Sequence, residues 1–349
     1  MVAAVCVIAG VVAGFVLTRG SGTAPGATPG ATDGCEADRT YAGCLERAKA
    51  GDARAQFRLA EAYDGGEGVP EDDAAAAEWY RRAAEQGHRE AQFQLATLYD
   101  SGKGVTRDAA EAVRWYQRAA EQGMALAQYN LGLMYLEGGG GLTQDTAAAV
   151  RWFTLAAEQG VAAAQYNLGV AYQTGEGASQ DVEAAARWYR KAADAGHAGA
   201  QYAVGLRYAT GDGVARDGAE AVRWYLQAAA QGHAEAQNDL AVIYDAGSGV
   251  AENDTEAVRW YRRAAAAGNP SAQHNLGLMY ANGEGVRRDD GRAYLWLSLA
   301  AATSGGTIDR AALDRVGGRL SAVARAAADG LAAACRESAF KDCSEPAGP

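Results

Sequence analysis

Seven tryptophans, at positions 79, 115, 152, 188, 224, 260 and 296, divide this chain into equal lengths: every gap is 36 residues except one of 37. Gln56, Gln92, Gln128, Gln165, Gln201, Gln237 and Gln273 keep the same step, as do Tyr63, Tyr99, Tyr135, Tyr172, Tyr208, Tyr244 and Tyr280. The long step is one additional glycine in the run 138–141. An insertion confined to a loop, with both flanks in register, makes the period a property of a folded unit and not of composition. Stacked units touch only their neighbours and form one elongated body, so 349 residues imply one solenoid instead of two globular domains.

The second unit, residues 88–123, shows what each repeat folds into. Ala91, Leu95, Ala96, Leu98 and Tyr99 recur at helical spacing, which predicts a first helix over residues 88–100. Gly102 and Gly104 stop it, because glycine permits the left-handed turn that closes a helix. Asp108 has the spacing of an N-cap for a second helix, whose Ala112, Trp115, Tyr116, Ala119 and Ala120 form its buried face before Gly123. Asp72, Asp145, Asp181, Asp217, Asn253 and Asp289 hold the same capping place elsewhere, and Asn269 before Pro270 pairs a cap with a first helical residue. Identical placement makes the tryptophans core residues, packed among small alanines that allow close helix approach.

The two ends differ from the repeats. Residues 1–19 are apolar up to Arg19 and read as a membrane anchor or a signal segment, followed by a flexible Gly/Ala/Thr/Pro linker over 20–34. Residues 35–51 resemble a lone second helix that caps the array, and residues 305–349 hold a closing helical pair, 308–317 and 321–336, with a tail. Four of the five cysteines fall in these caps: Cys35 with Cys44, and Cys335 with Cys343. Two short disulfide loops would pin the terminal helices in an oxidising compartment; free buried thiols are the alternative. With the N-terminal segment, the pairs favour an extracytoplasmic, periplasmic body, anchored to the inner membrane or secreted if the segment is cleaved. A net charge of −11 with scattered Lys and Arg gives no footprint for nucleic acid.

The pattern A-Q-x-x-L-G-x-x-Y, then G-x-G-V, then D-x-x-x-A-x-x-W-Y-x-x-A-A-x-x-G is similar to the Sel1-like repeat, a relative of the tetratricopeptide repeat. It fits seven times over residues 52–304; Ala127-Gln128-Tyr129-Asn130-Leu131-Gly132 and Ala272-Gln273-His274-Asn275-Leu276-Gly277 carry its first half. The resemblance implies an all-α fold, a right-handed α/α superhelical solenoid of seven helix-turn-helix repeats with terminal capping helices. It also implies a scaffold or adaptor for other proteins at the bacterial cell envelope. Some members with cysteine pairs inside their repeats are linked to β-lactam binding or hydrolysis, but the repeats of this chain contain no cysteine.

No residue pattern points to catalysis, a metal or a cofactor. His88, His197 and His233 share one slot after the linking glycine and belong to different repeats, so they read as polar helix starts and not as a metal set. The glycine pairs follow helices instead of strands and are turns, not phosphate loops. Function is expected where the repeats differ. One residue after each Gln stand Phe57, Phe93, Tyr129, Tyr166, Tyr202, Asn238 and His274; five after, Glu61, Thr97, Leu133, Val170, Leu206, Val242 and Leu278. By analogy with tetratricopeptide arrays these positions line the concave face. Phe93, Tyr129, Leu133, Tyr166, Val170, Tyr202 and Leu206 then form an apolar groove, edged by Asp64, Asp100 and Asp245, for a peptide or helix of a protein partner. Packing within the superhelix is the other reading of these side chains, and a β-lactam, cell-wall or carbohydrate ligand is the other reading of the groove.

Overall fold

The computed structural model describes residues 41–304, 310–338 and 340. They form seventeen helices and no strand. The first nine are α1 (Tyr41–Lys49), α2 (Ala53–Gly65), α3 (Asp73–Glu85), α4 (Arg89–Ser101), α5 (Ala109–Glu121), α6 (Ala125–Glu137), α7 (Thr146–Glu158), α8 (Ala162–Thr174) and α9 (Val182–Asp194). They are followed by α10 (Ala198–Thr210), α11 (Gly218–Ala230), α12 (Ala234–Ala246), α13 (Asp254–Ala266), α14 (Pro270–Asn282), α15 (Asp290–Thr303), α16 (Ala311–Gly317) and α17 (Ala322–Glu337). From α2 to α15 the even helices are the first and the odd helices the second of seven repeats. Each helix packs on its predecessor and successor, so the array is a solenoid, and α15 carries both α16 and α17 as its closing cap. The helix expected over residues 88–100 is Arg89–Ser101, and the closing pair falls within a few residues of its expected bounds. Residues 1–19 and 20–34, with Cys35 and Cys343, lie outside the described residues. Cys44 and Cys335 are each disulfide-bonded.

The hairpin of each repeat is closed by its ends. All seven expected Asp and Asn caps accept a backbone N–H in the first turn of the second helix, as Asp181 Oδ1 does from Ala184 N at 2.8 Å. The backbone N–H of the same residue donates to the carbonyl of the repeated tyrosine on the first helix, for example Asp181 N to Tyr172 O at 2.9 Å. The second glycine of the loop ties one repeat to the last: a Cβ at Gly104 would overlap the carbonyl oxygen of Asp73 at the start of α3. Only glycine lets the loop approach that closely, and its φ of 69° is left-handed.

The seven glutamines are buried, and five of them bridge three helices. Gln128 Nε2 donates to Ala120 O at the end of α5 at 3.1 Å, and Gln159 Nε2 at the end of α7 donates to Gln128 Oε1 at 2.8 Å. All seven make the first bond, each to the carbonyl eight residues earlier, with distances from 2.9 to 3.3 Å. The second comes from Gln86, Gln122, Gln159 and Gln231, and from Thr303 to Gln273. Ala195 and Ala267 stand at the corresponding helix ends of the fourth and sixth repeats, and there Gln165 Oε1 and Gln237 Oε1 are buried without a donor. Each of the last-turn carbonyls that accept Nε2 also accepts the N–H of the linking glycine, so the glutamine fills its second acceptor site while fixing the register of the next repeat.

The tryptophans require a correction. Trp115, Trp224 and Trp296 are buried, but Trp79, Trp152, Trp188 and Trp260 are half-exposed at the margin of the core. The fully enclosed residue is the next one: Tyr80, Tyr116, Phe153, Tyr189, Tyr225, Tyr261 and Leu297 are all at most 3% exposed. The tryptophan's outer face instead carries a cation from the following turn, as with Arg82 over Trp79 at 4.3 Å and Lys191 over Trp188 at 4.3 Å. Burial explains the difference, because a helical residue one step on is rotated by about 100° toward the first helices.

Two outcomes follow. Tyr189→Ala should cost about 3–5 kcal/mol through the cavity it leaves, while Trp188→Ala costs about 1–2 kcal/mol; denaturant unfolding of the two variants checks the order, and an equal or inverted pair would contradict it. The second outcome concerns pH. Burial holds His88, His197 and His233 below the usual histidine range. Each is the N-cap of its helix, accepting through neutral Nδ1 from Ala91, Ala200 and Ala236 at 3.2–3.3 Å. As pH falls below the ordinary value of 6.5, the unfolded chain takes protons that the folded chain refuses, so stability drops. Replacing all three by Asn, the cap that already stands at Asn269, should flatten the fall in thermal midpoint between pH 7 and 5; an unchanged slope would show that these histidines do not titrate in this way.

Candidate functional site

The variable positions on the first helices lie on one side of the array, but the structure divides their roles. The rings one step after the glutamine are half-buried, and each leans on the core ring of its own second helix. Phe93 lies 5.7 Å from Tyr116, Tyr129 5.8 Å from Phe153, Tyr166 5.6 Å from Tyr189 and Tyr202 5.6 Å from Tyr225, all tilted. A second neighbour comes from the following repeat. Phe57, Tyr166 and Tyr202 stack on the capping rings of His88, His197 and His233, with centroids 4.6–4.8 Å apart. Where the cap is not histidine, an apolar side chain takes its place: Met124 packs in one cluster with Phe93, and Val161 with Tyr129. The rings therefore couple repeats while remaining half-exposed, so packing within the superhelix accounts for part of what these side chains do.

The hydroxyls extend this coupling. Tyr202 Oη donates to Asp239 Oδ2 of the next repeat at 3.0 Å, and Tyr129 is hydrogen-bonded to Asn167 in the same relation. Asn275 Nδ2 donates to Tyr261 Oη at 3.2 Å. Asn167, Asp239 and Asn275 all stand two residues after the glutamine, a polar position that sequence reasoning passed over although it recurs. Burial raises the carboxyl of Asp239 above the usual range, and its bonds from Asn238 and Tyr202 oppose that.

The residues five after the glutamine are the freer part. Leu206 and Val242 are 42% and 41% exposed in adjacent repeats. Leu133, Val170 and Leu278 are half-buried on the same line, and Val170 borders a small pocket with Leu136, Val150 and Phe153 at the junction of the third and fourth repeats. Toward the N-terminus the stripe turns polar at Glu61 and Thr97. The acidic edge is partly neutralised: Asp64 meets Lys103 Nζ at 2.9 Å and Asp100 is 4.0 Å from Arg107. Asp245 has acidic neighbours instead of a cation: burial first, and then Asp254 and Glu284, raise its carboxyl above the usual range. The stripe offers apolar surface with an acidic margin, and the side chains grouped on it bring no nucleophile together with a base.

At the ends, Cys335 is buried on α17 and Cys44 is half-buried on α1, each in a terminal cap as expected. No described helix is long and apolar enough to cross a membrane.

Comparison with known proteins places this geometry. The Sel1 repeat model matches residues 53–88, 89–124, 125–161, 162–197, 198–233, 234–269 and 270–302. Among solved structures the chain is similar to a Sel1 repeat protein from Oxalobacter formigenes, at 36% identity and a TM-score of 0.63, covering 79% of this chain and 80% of that one. It is also similar to c5321, a protective antigen of uropathogenic Escherichia coli displaying an SLR fold, at 29% identity and a TM-score of 0.62, covering 91% and 76%. No curated protein matches the chain. Seven matched repeats, in register with the seven helical hairpins, show that the chain belongs to the Sel1 repeat family.

Proposed function

We propose that this protein is a non-catalytic scaffold that binds a protein segment along its first helices, between the third and sixth repeats. Sel1-repeat proteins are generally protein-interaction scaffolds. The observation that carries the reading is the pair Leu206 and Val242, large apolar side chains left exposed at equivalent places in successive repeats while their neighbours are packed. Isolated surface leucines are ordinary, but an aligned apolar stripe flanked by rings suits the apolar face of a helix or strand. Tyr129, Tyr166 and Tyr202 frame the stripe with Leu133 and Val170, and Phe93 closes its N-terminal end. The same protein is proposed to be tethered at the cell envelope by residues 1–19, its terminal caps fixed by Cys35–Cys44 and Cys335–Cys343 links.

Because Tyr166 and Tyr202 also support neighbouring repeats, the cleaner test uses the exposed pair. Leu206→Asp with Val242→Asp should leave stability within about 0.5 kcal/mol, since neither side chain is buried. Affinity for a partner, first identified by crosslinking in the native host, should fall about a hundredfold if each anchor contributes about 1.4 kcal/mol. A variant that folds and binds that partner as tightly as the wild type removes the stripe from the account. For the envelope assignment, protein taken from the native host should show two intramolecular disulfides by mass spectrometry without reductant; free thiols at Cys44 and Cys335 would sink it.

A further inference from the structure

The six residues after each glutamine end in a slot that is apolar in every repeat but one: Ala62, Leu98, Met134, Ala171, Ile243 and Met279 occupy it, and in the fifth repeat it holds Arg207. Arg207 is 6% exposed. Its guanidinium carbon lies 4.8 Å from the centroid of the Tyr189 ring, so the side chain is wedged between α9 and α10. Its Nε and Nη2 atoms are both buried without a hydrogen-bond partner. A guanidinium with two buried, unpaired N–H groups is costly, since the attraction of an aromatic face offsets little of their lost hydration.

A second observation falls at the same junction. In the second, third, fourth and seventh repeats the second loop glycine presses on the carbonyl at the start of the preceding second helix, as Gly104 does on Asp73 and Gly177 on Thr146. At Gly213 an added Cβ would meet no atom within 4 Å. Val182, the helix start that this loop should cover, is 41% exposed. The turn that stands clear is the one closed on Arg207 itself, with Gly211 N and Asp212 N both donating to Arg207 O at 2.8 and 3.2 Å. The loop of the fifth repeat therefore stands clear of the start of α9, and the helix turn that leads into it carries a guanidinium with two unpaired N–H groups.

We propose that this junction is a binding site for a carboxylate, independent of the apolar stripe. Nε and Nη2 form the side edge of the guanidinium, and two parallel N–H donors on that edge match the two oxygens of a carboxylate. With the Tyr189 ring against the guanidinium, and in a chain of net charge −11, a planar monoanion suits this edge better than a bulky polyanion. The carboxylate arrives either as a small free acid or as a chain-terminal or side-chain carboxylate of a peptide, and the two sources are separable.

The test is the thermal midpoint of the full-length protein titrated with acetate, with acetyl-tetra-alanine bearing a free C-terminus, and with the amide of that peptide, against sodium chloride at equal ionic strength. The midpoint should rise saturably with acetate, with the free-acid peptide or with both, and not with the amide or chloride. A response to acetate alone assigns a small acid, and a response to the peptide alone assigns a partner's carboxylate. Arg207→Met restores the residue found at Met134 and Met279; it should raise the starting midpoint and abolish the response, while Arg207→Lys keeps part of it. If neither carboxylate exceeds chloride, or if Arg207→Met responds like the wild type, the site does not exist.

Discussion

The side-chain amide of the repeated glutamine holds this solenoid in register. It sits in the interior at most 7% exposed, where an amide left without partners costs about 1–3 kcal/mol, so its position is fixed by the bonds it can make. Nε2 reaches the carbonyl at the end of the previous second helix, and Oε1 receives the amide that ends its own second helix. One residue thereby sets the distance and rotation between consecutive hairpins, with the Nε2 bond made in all seven repeats and the Oε1 bond in five. The alanines beside it allow the backbones to close, and the ring after each tryptophan fills what remains.

With the scaffold fixed in this way, the outward positions of the first helices are free to vary within limits. The ring one step after the glutamine cannot vary freely, because it rests on its own second helix and on the cap of the next repeat. Leu206 and Val242 have no such duty. The proposed binding stripe is accordingly a mixture of supporting rings and available aliphatic side chains. Arg207 shows the opposite case, a charged residue placed where the scaffold asks for an apolar one.

Most of the fold was legible because its signals are local and repeated. The period of Trp79 to Trp296 gave the number of repeats, the glycine pairs gave the hairpin turns, and Asp72, Asp108 and their equivalents gave the start of each second helix. What was missed depends on which face of a helix turns inward, and that is not a local property. Trp188 and Tyr189 are adjacent and both aromatic; only the packing of α8 and α10 against α9 decides that Tyr189 is enclosed. The role of Gln128 was visible in principle, as a polar residue invariant among apolar neighbours, yet its partners lie 8 and 31 residues away in sequence. The face carrying Tyr129, Tyr166 and Tyr202 was assigned by analogy with tetratricopeptide arrays, whereas the stacking of Tyr166 on His197 and of Tyr202 on His233 arises between repeats.

The fourth and sixth repeats provide the most direct test of the glutamine's part, because Ala195 and Ala267 leave Gln165 Oε1 and Gln237 Oε1 without donors at exposed helix ends. The measurement is the unfolding free energy of the Ala195→Gln, Ala267→Gln double variant by denaturant titration. The account predicts a gain of about 0.5–1.5 kcal/mol for each completed bridge, accompanied by slower amide exchange in α9 and α13. A double variant no more stable than the wild type, with unchanged exchange in those two helices, would show that the amide bridge does not hold the repeats together.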